Sequence, residues 1–298
     1  MINKQTLKAL LISSRPATLT ASLAPILVAY FMAERIEKDA VVAWYLIPIL
    51  VAALSIQIAT NFFNDYLDFV KGGDKEDRLG PTRVTSAGLL SPQQVKRWAL
   101  GFCGLAFVAG IPLVLRGGEI FLLLGLISLA MTYLYTGTRF SLAYTGFADL
   151  FVVAFFGCFA VAGTYYLLSL SWNPWALLVG LQLGSLCNIL LLVNNLRDQK
   201  QDAANNKKTV VVRFGRRFGL LEYLVLILIA FFPILSWPFI SYPLLLFVFQ
   251  FPYLFCSLYL WNWVRKNEPS AQYNKILKFS SMIYLGFTLM CCAGLRMF

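Results

Sequence analysis

The chain of 298 residues contains no histidine. That removes imidazole acid–base chemistry, His-activated serine or cysteine nucleophiles and His-ligated metals. The six cysteines, Cys103, Cys158, Cys187, Cys256, Cys291 and Cys292, sit in apolar runs, and none forms a CxxC pair. They read as small hydrophobes rather than as a redox or zinc site. Charge is scarce as well: 13% of the residues are charged, about half the share of a soluble domain. Only 14 residues are acidic against 25 basic, and the net charge is +11.

What fills the chain instead is apolar: 59% of it is hydrophobic. A membrane-crossing helix needs about 20 such residues in a row. Nine runs qualify, near 17–33, 43–64, 95–115, 118–136, 144–169, 174–196, 218–236, 239–263 and 277–296. The fold class expected is an all-α integral membrane protein, with residues 1–298 as a single transmembrane unit and the lipid bilayer as its solvent. Nine spans with a cytoplasmic N-terminus put every basic residue but Arg35, Lys38, Arg116 and Arg296 on the cytoplasmic side. This bias is the usual sign of orientation. It assigns the basic surplus to loops beside lipid, and no nucleic-acid partner is expected.

Two long polar interruptions, 65–94 and 197–217, stand out, and four spans separate them. An even number returns the chain to the same face, so both loops can build one site. The first opens with "NDYLDFVKGGDKEDRLGPTRVT", Asn64–Thr85. Asn61, Asn64 or Asp65, and Asp68 share a helical face if the second span continues. The second contains "NNLRDQKQD", with Asp198 and Asp202 four apart and Asn195 three before Asp198. Gln57 and Asn188 extend the two stripes into the membrane, where polar groups are costly unless they line a bundle interior or a wet cavity. Carboxylates brought together repel unless a cation bridges them. Without His or paired Cys, the fitting ion is a hard one, Mg²⁺, which commonly joins carboxylates to a substrate phosphate. Lys71, Arg78, Arg83, Lys207, Lys208 and Arg213 lie beside these acids, and Arg139 follows Tyr135 at the mouth of the fourth span. Acids for Mg²⁺ interleaved with Lys and Arg are what a diphosphate needs.

These residues resemble the UbiA superfamily of intramembrane prenyltransferases. "NDYLDFVKGGD" and "DQKQD" look like its two Asp-rich motifs, "SRPATL" and "YTGTR" add further matches, and Arg139 stands where the family's Tyr-x-x-x-Lys element has lysine. The general first motif would put a third Asp at position 72. Here that is Gly72 and the next acid is Asp74, a spacing that resembles the branch acting on 1,4-dihydroxy-2-naphthoate in menaquinone synthesis. "NNKKT" keeps the charge of the family's Gly-Lys-Arg-Thr, and Asp149 keeps a carboxylate early in the fifth span.

The resemblance implies Mg²⁺-dependent transfer of a polyprenyl group from its diphosphate to an aromatic acid, with loss of CO₂. It implies a plasma (inner) membrane protein whose site opens to the cytoplasm. It implies metal ligation by Asn64, Asp65, Asp68, Asp74, Asn195, Asp198 and Asp202. Lys71, Arg139, Lys207 and Lys208 would clamp the diphosphate. Asn61 and Tyr135 would line the substrates, and Arg15 or Arg83 would meet the acceptor carboxylate. Other acceptors, 4-hydroxybenzoate, homogentisate or a haem, stay open at this point. So does a secondary transporter, although transport sites usually lie at the midplane on broken helices.

Overall fold

The structure, a computed structural model, describes residues 4–72, 79–80, 83–137, 142, 146–232, 237–238, 240–241 and 243–297. Asp74 and Arg139 lie outside the described residues. Among those described, regular structure is entirely helical. A short α1 (Lys4–Ser14) leads into α2 (Pro16–Glu37), α3 (Leu46–Val70), α4 (Pro92–Gly117) and α5 (Glu119–Gly137). Then come α6 (Ala148–Ser169), α7 (Pro174–Ala204), α8 (Val210–Phe231), α9 (Pro243–Lys266) and α10 (Tyr273–Met297).

Helices are the solution that lipid leaves to an open chain, because each backbone N–H and C=O must be paired within its own segment. Polar side chains take over at the ends. Ser91 and Gln94 form a reciprocal cap on α4, at 3.3 and 2.9 Å. Asn173 caps α7 and Thr209 caps α8. Eight of the helices are long and apolar enough to span a membrane; α8 falls short by that measure among the described residues. The expected seventh span corresponds to α8, which also carries a kink at Gly215, where φ is 83°.

Two helices outrun their apolar segments. The expected second span stops at 64 and the sixth at 196, but α3 continues to Val70 and α7 to Ala204. Polar side chains end a hydropathic run without ending the i to i−4 hydrogen-bond ladder. Asn64, Asp65 and Asp68 therefore stand on the last turns of α3, and Asp198 and Asp202 on those of α7.

Of the candidate spans α7 is the most buried, and α4 and α5 are the least buried. A glycine seam lets α6 press onto α7. Its residues Ala154–Cys158 form a π-helical turn, and Gly157 packs against Gly180 and Gly184. A Cβ on Gly184 would lie 2.6 Å from the Val153 carbonyl oxygen, and one on Gly180 would lie 2.6 Å from Cys158 Cα. No side chain fits there without moving backbone. At the far end of the bundle Gln182 donates to Ala230 O at 3.0 Å and accepts from Trp237 Nε1 at 2.8 Å. Gly184→Val should therefore lower stability by about 1–3 kcal/mol through overpacking. Gly104→Ala, on an open face of α4, should not lower it. Thermal unfolding in detergent distinguishes them, and equal melting of the two variants would contradict the seam.

Candidate active site

The ends of α3 and α7 meet through one ammonium group. Lys207, in the turn after α7, places Nζ 3.6 Å from Asp68 Oδ2 and 3.8 Å from Asp202 Oδ1. The turn holds it there because Lys207 N donates to Asp202 O at 2.8 Å. Asp68 is also paired with the Arg83 guanidinium at 2.5 Å. Arg83 in turn donates to Asn64 O at 2.9 Å, which fastens the segment after α3 back onto its end. Asp68, Asp202 and Arg83 are all buried.

Asp65 is 2% exposed. Its Oδ2 accepts from Ser13 Oγ at 3.3 Å and from Val84 N at 3.2 Å, so one carboxylate oxygen ties α1 and the 83–90 turn to α3. Its Oδ1 is buried and has no hydrogen-bond partner. Asn64 Oδ1 accepts from the Thr136 hydroxyl, and Lys71 Nζ donates to the Thr136 carbonyl. The end of α5 thus closes this side. Burial pulls the Lys71 ammonium below the usual lysine range, Asp68 opposes that shift, and Lys207 adds to it.

On α7, Asn195 is buried and its Nδ2 has no partner. Asp198 is gripped by its neighbour: Arg197 donates to both carboxylate oxygens, at 2.7 and 2.6 Å. Arg197 also donates to Asn274 Oδ1 at 2.6 Å, and Asn274 Nδ2 donates to Leu79 O at 2.9 Å. The start of α10 and the segment after α3 are thereby coupled to the second acidic pair.

The remaining expected residues are spread more widely. Asn61 donates to Ser14 O at 2.9 Å and to Thr18 Oγ1 at 3.0 Å. It pins the elbow between α1 and α2, where Arg15 adopts the left-handed conformation with φ 49°. Tyr135 is half-buried and near Asp149 and Asp202. Lys208 is exposed, and its carbonyl accepts from Arg213 Nε at 3.1 Å. Sequence reasoning did not single out Glu222. Its signal was present: a lone acid in the apolar stretch "LLEYLVLILI", and an ionisable group inside a span is a functional candidate by default.

The donor set fits a divalent cation that shares its coordination with a substrate. Asp68 and Asp202 already face one cation, the Lys207 ammonium, and Asp65 Oδ1 is unpaired. Among the described residues no three acidic or thiol groups converge closely enough to hold a metal alone. Mg²⁺ characteristically keeps waters and takes phosphate oxygens beside one or two carboxylates.

Residues 22–282 match the UbiA prenyltransferase family. The chain belongs to that family and is a membrane-embedded prenyltransferase. It is 35% identical over 202 residues to a 1,4-dihydroxy-2-naphthoate octaprenyltransferase of Mycobacterium tuberculosis, covering 68% of each chain. It is 37% identical over 210 residues to the protein of that name from Escherichia coli, covering 68% of this chain and 67% of that one. A solved UbiA homologue from Archaeoglobus fulgidus bound to GPP and Mg²⁺ superposes with a TM-score of 0.66. It is 15% identical, and the match covers 97% of this chain and 99% of that one.

If the Lys207 ammonium stands between two cation-binding carboxylates, Lys207→Met should leave Asp68 and Asp202 short of positive charge. Loss of one partner in a buried polar contact costs about 1–3 kcal/mol, read as a lower melting temperature without Mg²⁺. Added Mg²⁺ should restore more stability to the variant than to the wild type, by mass action on the folded state. Equal Mg²⁺ responses in the two proteins would exclude the shared cation position.

Proposed function

We propose that the protein transfers a polyprenyl group from polyprenyl diphosphate to 1,4-dihydroxy-2-naphthoate, releasing diphosphate and CO₂. The observation that carries this reading is the meeting of Asp68 and Asp202 on one ammonium, at the ends of two membrane helices. The acceptor is the one named for relatives 30–37% identical to this chain.

Two Mg²⁺ ions would be held by Asn64, Asp65 and Asp68 on α3 and by Asn195, Asp198 and Asp202 on α7. Bound there, they would neutralise the diphosphate and make it a better leaving group. The chain's own groups do the rest. Lys71, Lys207 and Lys208 donate to diphosphate oxygens, and preorganised charge of this kind is the main contribution to such a step. Arg197 fixes the Asp198 carboxylate by a two-point contact, so its orientation does not depend on the ligand. Asp74 and Arg139 join the ligand and clamp sets on sequence grounds alone. Arg83 pairs with Asp68 and so serves the metal-side carboxylate, and Arg15, at the elbow between α1 and α2, is the candidate for the acceptor carboxylate. The aromatic side chains Phe62, Phe63 and Tyr133 pack near the end of α3 and keep water from the allylic cation, which water would otherwise capture.

Nine spans, with the N-terminus and the site on the cytoplasmic side of the plasma membrane, complete this reading. The charge asymmetry of the loops supports that orientation. Asp68→Asn and Asp198→Asn should each lower Mg²⁺-dependent transfer by at least about 10²–10³-fold while the protein still inserts. Near wild-type turnover in either variant would remove that residue from the metal site. Isolated membranes given labelled prenyl diphosphate should form product with 1,4-dihydroxy-2-naphthoate and not with 4-hydroxybenzoate or homogentisate. Preference for one of those would move the protein to another acceptor.

A further inference from the structure

Inward of the carboxylate site lies a second polar cluster that the metal and diphosphate roles leave unused. It is assembled by helix register. Gly157 of α6 packs on Gly180 and Gly184 of α7, and Val153 meets Gly184. One turn further, Asp149 falls opposite Asn188. From the other side, Gly219 of α8 packs against Leu196 and Leu192 of α7, and one turn on Glu222 reaches the level of Asn188. The amide of Asn188 lies beside both carboxyl groups, and Asp149 and Glu222 are close enough to act on each other. Asn188 precedes Asn195 by seven residues, a depth of about 10 Å along the helix. Tyr135 spans the interval, being near both Asp149 and Asp202.

The cluster is chemically incomplete. Both oxygens of Asp149, Oε2 of Glu222 and Oδ1 of Asn188 are buried, and beyond the adjacent Asn188 amide none has a hydrogen-bond partner among the described residues. Native proteins leave few such groups open. No Lys or Arg is among the described groups acting on either carboxyl. All the open atoms are acceptors, so the missing partner must bring donors. Two carboxyls disfavour an anionic group such as diphosphate, so the group they meet directly must be neutral. The depth requires a partner that is otherwise apolar. The hydroxyl groups of a dihydroxylated ring meet all three conditions.

We propose that Asp149, Asn188 and Glu222 form the hydroxyl-recognising end of the acceptor subsite, with the carboxyl pair receiving and returning a ring-hydroxyl proton. This rests on the acceptor being a hydroxylated aromatic acid. The bond changes balance without a further reactant. The allylic C–O bond breaks and its pair leaves on diphosphate. The ring carbon bearing the carboxylate gives a π pair to the allylic carbon. The neighbouring hydroxyl becomes a carbonyl, and its proton passes to a carboxylate of the pair. The bond to CO₂ then breaks, its pair returns to the ring, and the carbonyl oxygen takes the proton back.

Two measurements test this. On the unaltered enzyme, the acceptor and its analogues O-methylated at position 1 or position 4 compete for binding. Methylation at position 1 should weaken binding about 10²-fold or more, because a site built for a hydroxyl rejects the analogue that lacks it. Undiminished binding of the 1-methoxy compound overturns the proposal. Asp149→Asn and Glu222→Gln should each lower kcat by about 10²–10⁴-fold. The KM for prenyl diphosphate and the Mg²⁺-induced thermal shift should stay unchanged. Retained kcat, or a parallel rise in the prenyl diphosphate KM, would sink it. If the wild type prefers a different hydroxylated acid, the function reading fails in its acceptor alone, and the same comparison on that acid's hydroxyl decides this proposal.

Discussion

Carboxylates at the edge of a low-dielectric bundle repel one another, and everything at this site is arranged to answer that repulsion. The Lys207 ammonium stands between Asp68 and Asp202, and the Arg83 guanidinium covers Asp68 from the other side. Buried ion pairs seldom add much net stability, because desolvation offsets the attraction. Their value here is position. In the proposed reaction, the cations that hold the resting carboxylates would meet the diphosphate, so that an arriving anion and its metal would replace contacts that already exist.

Helix register places these groups. Two helices extend beyond their apolar runs and carry acids on their last turns, while the glycine seam fixes how far α6 slides along α7. Within one α7 helix, Asn188 is set by contacts to α6 and α8, and Asp198 and Asp202 by the turn at Lys207 and the start of α10. An error of one residue in the seam would rotate Asp149 away from Asn188. A bundle built of Leu and Val alone would not resist that slip, because its lipid-facing surface is as apolar as its core.

Much of this could be read from residue order. The spacing of Asn64, Asp65 and Asp68, and of Asp198 and Asp202, marks helix-end acids, and the even span count puts them on one face. The absence of His and of paired Cys leaves a hard cation as the partner. Other features depend on contacts between segments remote in the chain. Asn61 lies on the expected stripe but turns to the α1–α2 elbow, because Ser14 and Thr18 offer an acceptor carbonyl and hydroxyl there. Arg83 reads equally well as an acceptor ligand until Asp68 is seen to hold it. Glu222 is conspicuous alone and gains meaning only beside Asp149, which the order of residues does not bring near it.

The site is also closed by the first and the last of the described helices. Ser13, in the first helix, holds Asp65, while Asn274, opening the last, holds the arginine that grips Asp198. During synthesis the first acidic motif emerges after Ser13, its partner on α1, but the contact that steadies Arg197 beside Asp198 waits until α10 has emerged. A chain inserted only as far as α9 therefore lacks the contact that steadies the arginine beside Asp198. The setting of the second acidic pair is tied to the insertion of α10.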